Sequence, residues 1–335
     1  MEDSSSTLQS LLEVLLQQDP PRAKSLCVTL LGDAIEPHGG SLWLSDLIEL
    51  VTPLGINERL LRTSVFRLVA QDWLQSERHG RRSLYRLSAQ GLALTHQASA
   101  RIYHGSPTDW AGNWTLVILP RFGNGSLDRR GELRRQLVWA GFGVIAPGVF
   151  ALPRDHAAAA RKVLAQLKLS DHALVLNAHD LNDSQASSGR ISPASSGLQI
   201  RALISQCWDM EGVARQYENF IATFAPMLNA VNDALRPDQA FAVRALTLHE
   251  WRRIVLHDPQ LPQQMLPADW PGLAARKVCG QLYWAVFDRA EAHLEAILGK
   301  DRNHYLPLKS YVYARFNRPA APAPASSDTH DALKA

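Results

Sequence analysis

The chain has 335 residues, enough for two or three domains at roughly 100–200 residues each. Hydrophobic residues make up 46% and charged residues 20%, which excludes a disordered or fibrous chain. A net charge of +3 permits nucleic-acid binding without arguing for it, so local clusters must decide. The three cysteines, Cys27, Cys207 and Cys279, form no CxxC pair. That argues against a zinc ribbon or thioredoxin-type site and fits a reducing cytoplasm. The opening MEDSSS is acidic where an export signal carries positive charge, so a cytoplasmic location is expected. Residues 136–153 carry no charge but hold three Gly and two Pro, which reads as buried strands and turns and not as a membrane span.

Residues 1–19 form an apolar-rich N-terminal extension ending at Pro20-Pro21. Across 20–104 the spacing predicts a helix over 22–35, with Leu26, Leu30 and Leu31 on one face, broken at His38-Gly39-Gly40. Ser41 is expected to cap a second helix through about Thr52, with Leu44, Leu47, Ile48 and Val51 inward. Pro53-Leu54-Gly55-Ile56 makes a turn, and Asn57 caps a third helix reaching about Trp73. On that helix Leu61, Val65, Leu68 and Val69 share the core face, and Arg59, Arg62, Thr63, Phe66 and Arg67 project mostly from the other side.

Two strand-like runs, 74–77 and 83–87, flank Arg78-His79-Gly80-Arg81-Arg82 and read as a β-hairpin. Helix, helix, turn, helix, then a basic hairpin is the order of a winged helix-turn-helix. A helix fits the major groove, Arg matches the O6/N7 edge of guanine, and a basic hairpin can straddle phosphates or reach the minor groove. Residues 57–88 carry seven Arg against Glu58, Asp72 and Glu77. The candidate DNA-contacting residues are therefore Asn57, Arg59, Arg62, Thr63, Ser64, Phe66 and Arg67 on the third helix, and Arg78, His79, Arg81 and Arg82 on the hairpin. The alternative is a winged helix used for protein docking, but such modules usually lack Arg at the tip and on the exposed face of the third helix.

Residues 110–182 alternate strand (113–120), helix (129–142), one bent strand or two short ones around Pro147-Gly148 (144–152), helix (157–169) and strand (173–177). That is the ferredoxin-like order βα(ββ)αβ, with an edge and a face that suit dimerisation. Gly141 to Ala146 matches GxGxxA, but it follows a helix and opens a strand, the reverse of a dinucleotide fingerprint. Residues 183–197 have linker composition, and 319–335 have the composition of a disordered tail. Residues 198–318 are mainly helical, with long stretches over 209–232 (a kink expected at Pro226), 238–256 and 273–298. The fold class expected is multidomain α+β.

At these residues the chain resembles the PaaX family, bacterial repressors of phenylacetic acid degradation operons. The matching segments are Leu30-Leu31-Gly32-Asp33 to Gly39-Gly40, Leu54 to Leu68, Gly80 to Leu87, Arg101-Ile102-Tyr103, Trp114 to Val117, Leu248 to Arg253 and Leu266 to Gly272. They occur in the family's order and cover about residues 20–316. The resemblance implies a homodimeric repressor of double-stranded DNA, with an imperfect inverted-repeat operator. It also implies release by phenylacetyl-coenzyme A and not by free phenylacetate. The central block resembles the Cas2 fold. Nucleases of that fold place an acid at the end of the first strand, where this chain has Ile118-Leu119-Pro120-Arg121, so metal-dependent cleavage is not expected.

A coenzyme A thioester needs cations for its phosphates, a stacking surface and an apolar slot. In the C-terminal block Trp251, Arg252, Arg253, His257 and Trp270 are the candidate effector residues, with Trp208 and Trp284 offering the same chemistry or simply core. His249-Glu250 and His257-Asp258 are adjacent pairs that diverge on a helix and form no dyad. With no HExxH or GxSxG motif, no catalytic residue, metal or cofactor is expected. The alternatives are the same repressor answering another aryl-coenzyme A thioester, or an enzyme, either a Cas2-like nuclease or a coenzyme A thioesterase.

Overall fold

The computed structural model describes residues 3–105, 110–119, 127–179 and 196–318. Most of the expected linker, and all of the tail, lie outside them. Among the described residues no helix is long and apolar enough to cross a membrane.

The chain opens with α1 (Asp3–Gln18) and α2 (Ala23–Leu30), which runs on through a π turn (Leu31–Ile35) and a 3-10 turn (Glu36–His38). Then come β1 (Ser41–Trp43), α3 (Leu44–Val51), α4 (Glu58–Ala70), β2 (Leu74–His79), β3 (Arg82–Leu87) and α5 (Ala89–Ser99), which ends in a π turn (Ala100–His104). Ser41 does not cap the second helix. It pairs with Arg86 in a sheet of order β1-β3-β2, which draws residues 41–43 into a strand and delays the helix to Leu44. Asn57 does cap α4, its side chain accepting from the Leu60 N–H at 2.9 Å. That helix stops at Ala70, three residues early, and Asp72 turns left-handed (φ 53°) to start the hairpin.

The central block is β4 (Asn113–Ile118), α6 (Leu127–Trp139), β5 (Gly143–Ala146), β6 (Val149–Leu152), α7 (Ala157–Gln166) and β7 (Leu174–His179). Its antiparallel sheet has the order β5-β6-β4-β7, the ferredoxin-like arrangement. The two helices cover one face through Leu133, Leu137, Ala160 and Leu164. On α8 (Ser196–Cys207), Ile204 and the following Trp208 pack with Trp114 and Ala151 of the sheet.

The remaining helices are α9 (Met210–Ala230), with Pro226 inside it, α10 (Pro237–Val255) and α11 (Gly272–Leu298). A 3-10 segment follows (Ser310–Asn317). They share one hydrophobic core with the N-terminal helices. Leu8, Leu12, Leu26 and Leu47 are in the same buried cluster as Phe224, Trp251 and Leu282. Helix α1, from the expected N-terminal extension, is thus part of that core, and Gln239 on α10 donates to Gln9 on α1 at 3.1 Å.

A buried ionic knot joins the same elements. Asp33 in the first π turn accepts from Arg244 Nε (2.8 Å), Arg315 Nη1 (2.8 Å) and the Tyr103 hydroxyl (2.7 Å). Arg244 also reaches Glu291, which His38 contacts at 2.8 Å. Burial pushes the Asp33 carboxyl up, but the guanidiniums of Arg244 and Arg315 and the Tyr103 hydroxyl hold it below its ordinary value.

Candidate functional site

On α4 the apolar positions Leu61, Val65 and Leu68 are buried, and half-buried Val69 packs against the same core. The opposite side is open. Asn57, Arg59, Arg62, Thr63 and Arg67 are exposed, and Phe66 stands 73% exposed among them. An exposed phenyl ring between guanidiniums is unfavourable in water and suits a partner offering both apolar edges and negative charge. Arg62 is held by Glu58 one turn earlier, Nε to Oε1 at 2.8 Å. Among the described residues Arg59 and Arg67 carry no ion pair. Ser64 is not on this face: it is 5% exposed and its hydroxyl donates back to the Leu60 carbonyl at 2.8 Å. It lies one position from the buried Val65, where the helix has already rotated into the core.

The hairpin presents the second cluster. The two residues Gly80-Arg81 join β2 to β3, with His79 opposite Arg82. Gly80 takes φ +60°, as the first position of a type II′ turn requires. Arg81 is exposed at the tip without an ion-pair partner among the described residues. Arg78, also exposed, bends back so that its Nε donates to the Gly80 carbonyl at 3.2 Å, and His79 sits 2.9 Å from Glu77. Arg82 is engaged by stacking, its guanidinium 3.9 Å above the Trp43 ring. Trp43 in turn donates to Asp301 at 2.9 Å, beyond the end of α11. The sheet that carries the hairpin is thereby fixed to the C-terminal helices.

The five residues expected at an effector site do not converge. Successive positions on α10 point in different directions. Arg252 lines a cavity of about 30 Å³ with Thr29, Trp73 and Tyr103. Arg253 faces α1 and pairs with Glu250 and Asp19. His257 is exposed, its Nδ1 2.7 Å from the Arg253 carbonyl. Trp251 and Trp270 alone come together, in a cleft of about 230 Å³ shared with Tyr217, Asp258, Gln260 and Arg276. Trp251 is only 2% exposed, and its indole donates to the Ile102 carbonyl at 2.9 Å. Tyr217 packs against both indoles, at 5.7 Å from Trp251 and 5.9 Å from Trp270. Tyr217 and Arg276 sit on α9 and α11, so no local pattern in the sequence groups them with Trp270. Trp208 and Trp284 lie elsewhere, donating to the carbonyls of Gly141 and Arg315.

Three family models match successive parts of the chain. They are PaaX-like protein over residues 22–91, the PaaX protein central Cas2-like domain over 107–204, and the PaaX-like protein C-terminal domain over 208–296. Over 290 residues the chain is 34% identical to the transcriptional repressor PaaX of Escherichia coli strain K12, spanning 86% of this chain and 87% of that one. A solved structure of an uncharacterized protein from Mycobacterium tuberculosis covers 81% of this chain and 98% of its own, with a TM-score of 0.50 and 24% identity, a likeness of fold. The central sheet is accordingly a Cas2-like domain, and the chain belongs to the PaaX family.

Proposed function

We propose that the protein is a DNA-binding transcriptional repressor of the phenylacetate degradation operon, built on an N-terminal winged helix-turn-helix and acting in the cytoplasm. The observation that carries this is the open face of α4, where Arg59, Arg62, Thr63, Arg67 and the exposed Phe66 stand together, followed in the chain by a hairpin with Arg81 exposed at its tip. In this reading α4 enters the major groove. Its guanidiniums read guanine edges, Phe66 meets thymine methyl groups, and the hairpin grips phosphate. The relative named as a transcriptional repressor supports the same conclusion. The protein acts as a homodimer, with the Cas2-like domains as its dimerisation module. Two α4 helices then require half-sites about 34 Å apart, in an imperfect inverted repeat. Phenylacetyl-coenzyme A is the proposed effector that releases it.

The test is a gel shift on the DNA upstream of the protein's own gene and of the phenylacetate degradation genes, with phenylacetyl-coenzyme A, phenylacetate or benzoyl-coenzyme A added. A shift abolished by phenylacetyl-coenzyme A alone supports operator and effector together. A shift abolished by benzoyl-coenzyme A alone transfers the effector role to another aryl thioester. No shift at low salt and micromolar protein counts against DNA binding.

A further inference from the structure

Three clefts among the described residues are large enough to take part of a small molecule. One, about 480 Å³, lies between α1 and α9, and its walls include Leu11, Val14, Phe220 and Met227. The charged groups at its rim are already satisfied, since Arg253 pairs with both Glu250 and Asp19. A second, about 310 Å³, lies against the central sheet at Trp114, Leu116, Ile145 and Leu203, with no Arg or Lys in its lining. The third is the Tyr217–Trp251–Trp270 cleft, and three observations set it apart.

The first is its chemistry. Three aromatic side chains line a space of about 230 Å³. It is smaller than the roughly 300–1,000 Å³ that encloses a drug-sized ligand, so it holds one end of a larger molecule and leaves the rest outside. Among the described residues the Trp270 indole N–H has no acceptor, while the Trp251 indole is committed to Ile102. Gly272 leaves room for that indole, because a Cβ there would stand 2.5 Å from Trp270 Nε1. Arg276 also lines the cleft, its guanidinium anchored on the carbonyls of Ile102 and Tyr103.

The second is its wall. Asp258, Gln260 and Leu261 face the cleft, and Gln260 takes a left-handed backbone (φ 53°), a costly conformation for a residue with a side chain. The Asp258 carboxylate accepts from the Tyr217 hydroxyl (2.6 Å) and the Gln260 N–H (2.7 Å).

The third is what that wall does on its other side. The Asp258 carbonyl accepts from Arg101 Nη2 at 2.6 Å, and Arg101 Nη1 reaches the Trp139 carbonyl of the Cas2-like domain at 3.3 Å. The Pro259 carbonyl accepts from Arg154 Nη2 at 2.7 Å, and Arg154 also belongs to the Cas2-like domain. Residues 258–261 are therefore cleft wall and clasp at once. Two cations, Arg101 and Arg154, thus act on one buried carboxylate: burial, then the charge of Arg101, pulls the Arg154 pKa down to about 10, and burial pushes the Asp258 carboxyl up against the Tyr217 and Gln260 hydrogen bonds and the two guanidinium charges.

We infer that the Tyr217–Trp251–Trp270 cleft binds the aromatic acyl end of a thioester, and that its occupation loosens the 258–261 clasp on the Cas2-like domain. This rests on the effector reading above. The ring seats against the indoles, and the Trp270 N–H and Arg276 offer donors to the acyl oxygen. The nucleotide end lies outside. A ligand shifts the arrangement only by binding one state better than the other, and a wall shared between cleft and clasp supplies that difference. In a dimer held by the Cas2-like domains, a change at the clasp changes the separation of the two α4 helices.

The experiment is a fluorescence or calorimetric titration of the full-length protein with phenylacetyl-coenzyme A, benzoyl-coenzyme A and free coenzyme A. It is run on wild type, Trp270→Ala, Trp270→Phe and Arg154→Gln, with circular dichroism to establish folding. Trp270→Ala is expected to weaken the aryl thioester by at least roughly tenfold, and Trp270→Phe, which keeps the ring and loses the N–H, by less. Free coenzyme A binds weakly to all four. Arg154→Gln, which removes one bond of the clasp, is expected to bind the thioester at least as tightly as wild type, because the coupling is reciprocal, while in a gel shift the loss of DNA affinity on adding it shrinks. Unchanged thioester affinity in folded Trp270→Ala and Trp270→Phe overturns the site and leaves the effector reading standing. Binding of benzoyl- but not phenylacetyl-coenzyme A, lost on changing Trp270, overturns that effector and keeps the cleft. Wild-type protein that binds neither thioester overturns both. Full ligand-driven release in Arg154→Gln overturns the clasp.

Discussion

Arg244 Nε donates to Asp33 Oδ2 at 2.8 Å, with the two side chains 1% and 4% exposed. One residue follows the first helix of the DNA-facing unit and the other lies 211 positions later on α10. With Arg315 and Tyr103 completing the ring, the pair fixes the unit that presents α4 to the C-terminal helices. The joint proposed to move is therefore the one at the Cas2-like domain.

Asp33→Asn leaves two buried guanidiniums without their carboxylate. Breaking a buried pair from one side costs about 3–5 kcal/mol, so urea unfolding at neutral pH should show a loss of that order. The Asp33 carboxyl is held below its ordinary value of 3.8 in the folded state. Its contribution is present above that value and is lost as pH falls through the lowered one. The variant should therefore lose less stability than wild type between pH 4 and pH 2. An Asp33→Asn protein as stable as wild type at pH 7 would overturn this account of the knot.

His249 acts in a higher pH range with the same sign. It is 1% exposed on α10, its Nδ1 3.2 Å from the Thr29 hydroxyl on α2. Burial, then the charges of Arg253 and Arg252, pull its pKa down from 6.5 to about 4. The unfolded chain binds the proton more readily, so stability is full above pH 6.5 and falls as pH drops towards 4. The difference amounts to about 3 kcal/mol. Denaturant melts at pH 7 and pH 5 should show the slope, and His249→Gln should flatten it.

The two faces of α4 separate by mutation. Arg67→Ala should cost about 1–3 kcal/mol in operator affinity if the guanidinium reads a base, and Arg81→Ala should lower the salt slope by about one. Ser64→Ala should leave operator affinity within twofold, because its hydroxyl faces the Leu60 carbonyl inside the helix. Gel shifts across a salt series distinguish the three. Equal losses for Arg67→Ala and Ser64→Ala would mean that the exposed face is not what meets DNA.

Gly91 on α5 tests the packing of the sheet. A Cβ there would overlap the Trp73 carbonyl, which already accepts from the Ser88 N–H at 3.0 Å. Gly91→Ala should destabilise the protein by about 1–3 kcal/mol, read as a lower denaturant midpoint. No change in midpoint would mean that the hairpin base yields without cost.

Periodicity, caps and turn residues were sufficient for α4, its Asn57 cap, the Gly80-Arg81 hairpin and the βα(ββ)αβ order of the central block, because these depend on residues within a few positions of one another. The segment at Ser41 escaped the same logic: a short polar-apolar run becomes a strand when β3 supplies its hydrogen bonds. Ser64 lies on the core side and not on the DNA face, because a helix turns by about a quarter of a circle per residue and one position separates surface from core. The effector residues suffered most. Trp251, Arg252, Arg253 and His257 are close in sequence and diverge in space, whereas Trp270 meets Tyr217 and Arg276 from two other helices. Residue chemistry and local spacing are written in the chain itself. Which distant side chains share a cavity, and that one loop serves as both its wall and a clasp, is decided by long-range packing of helices whose crossings no local pattern encodes.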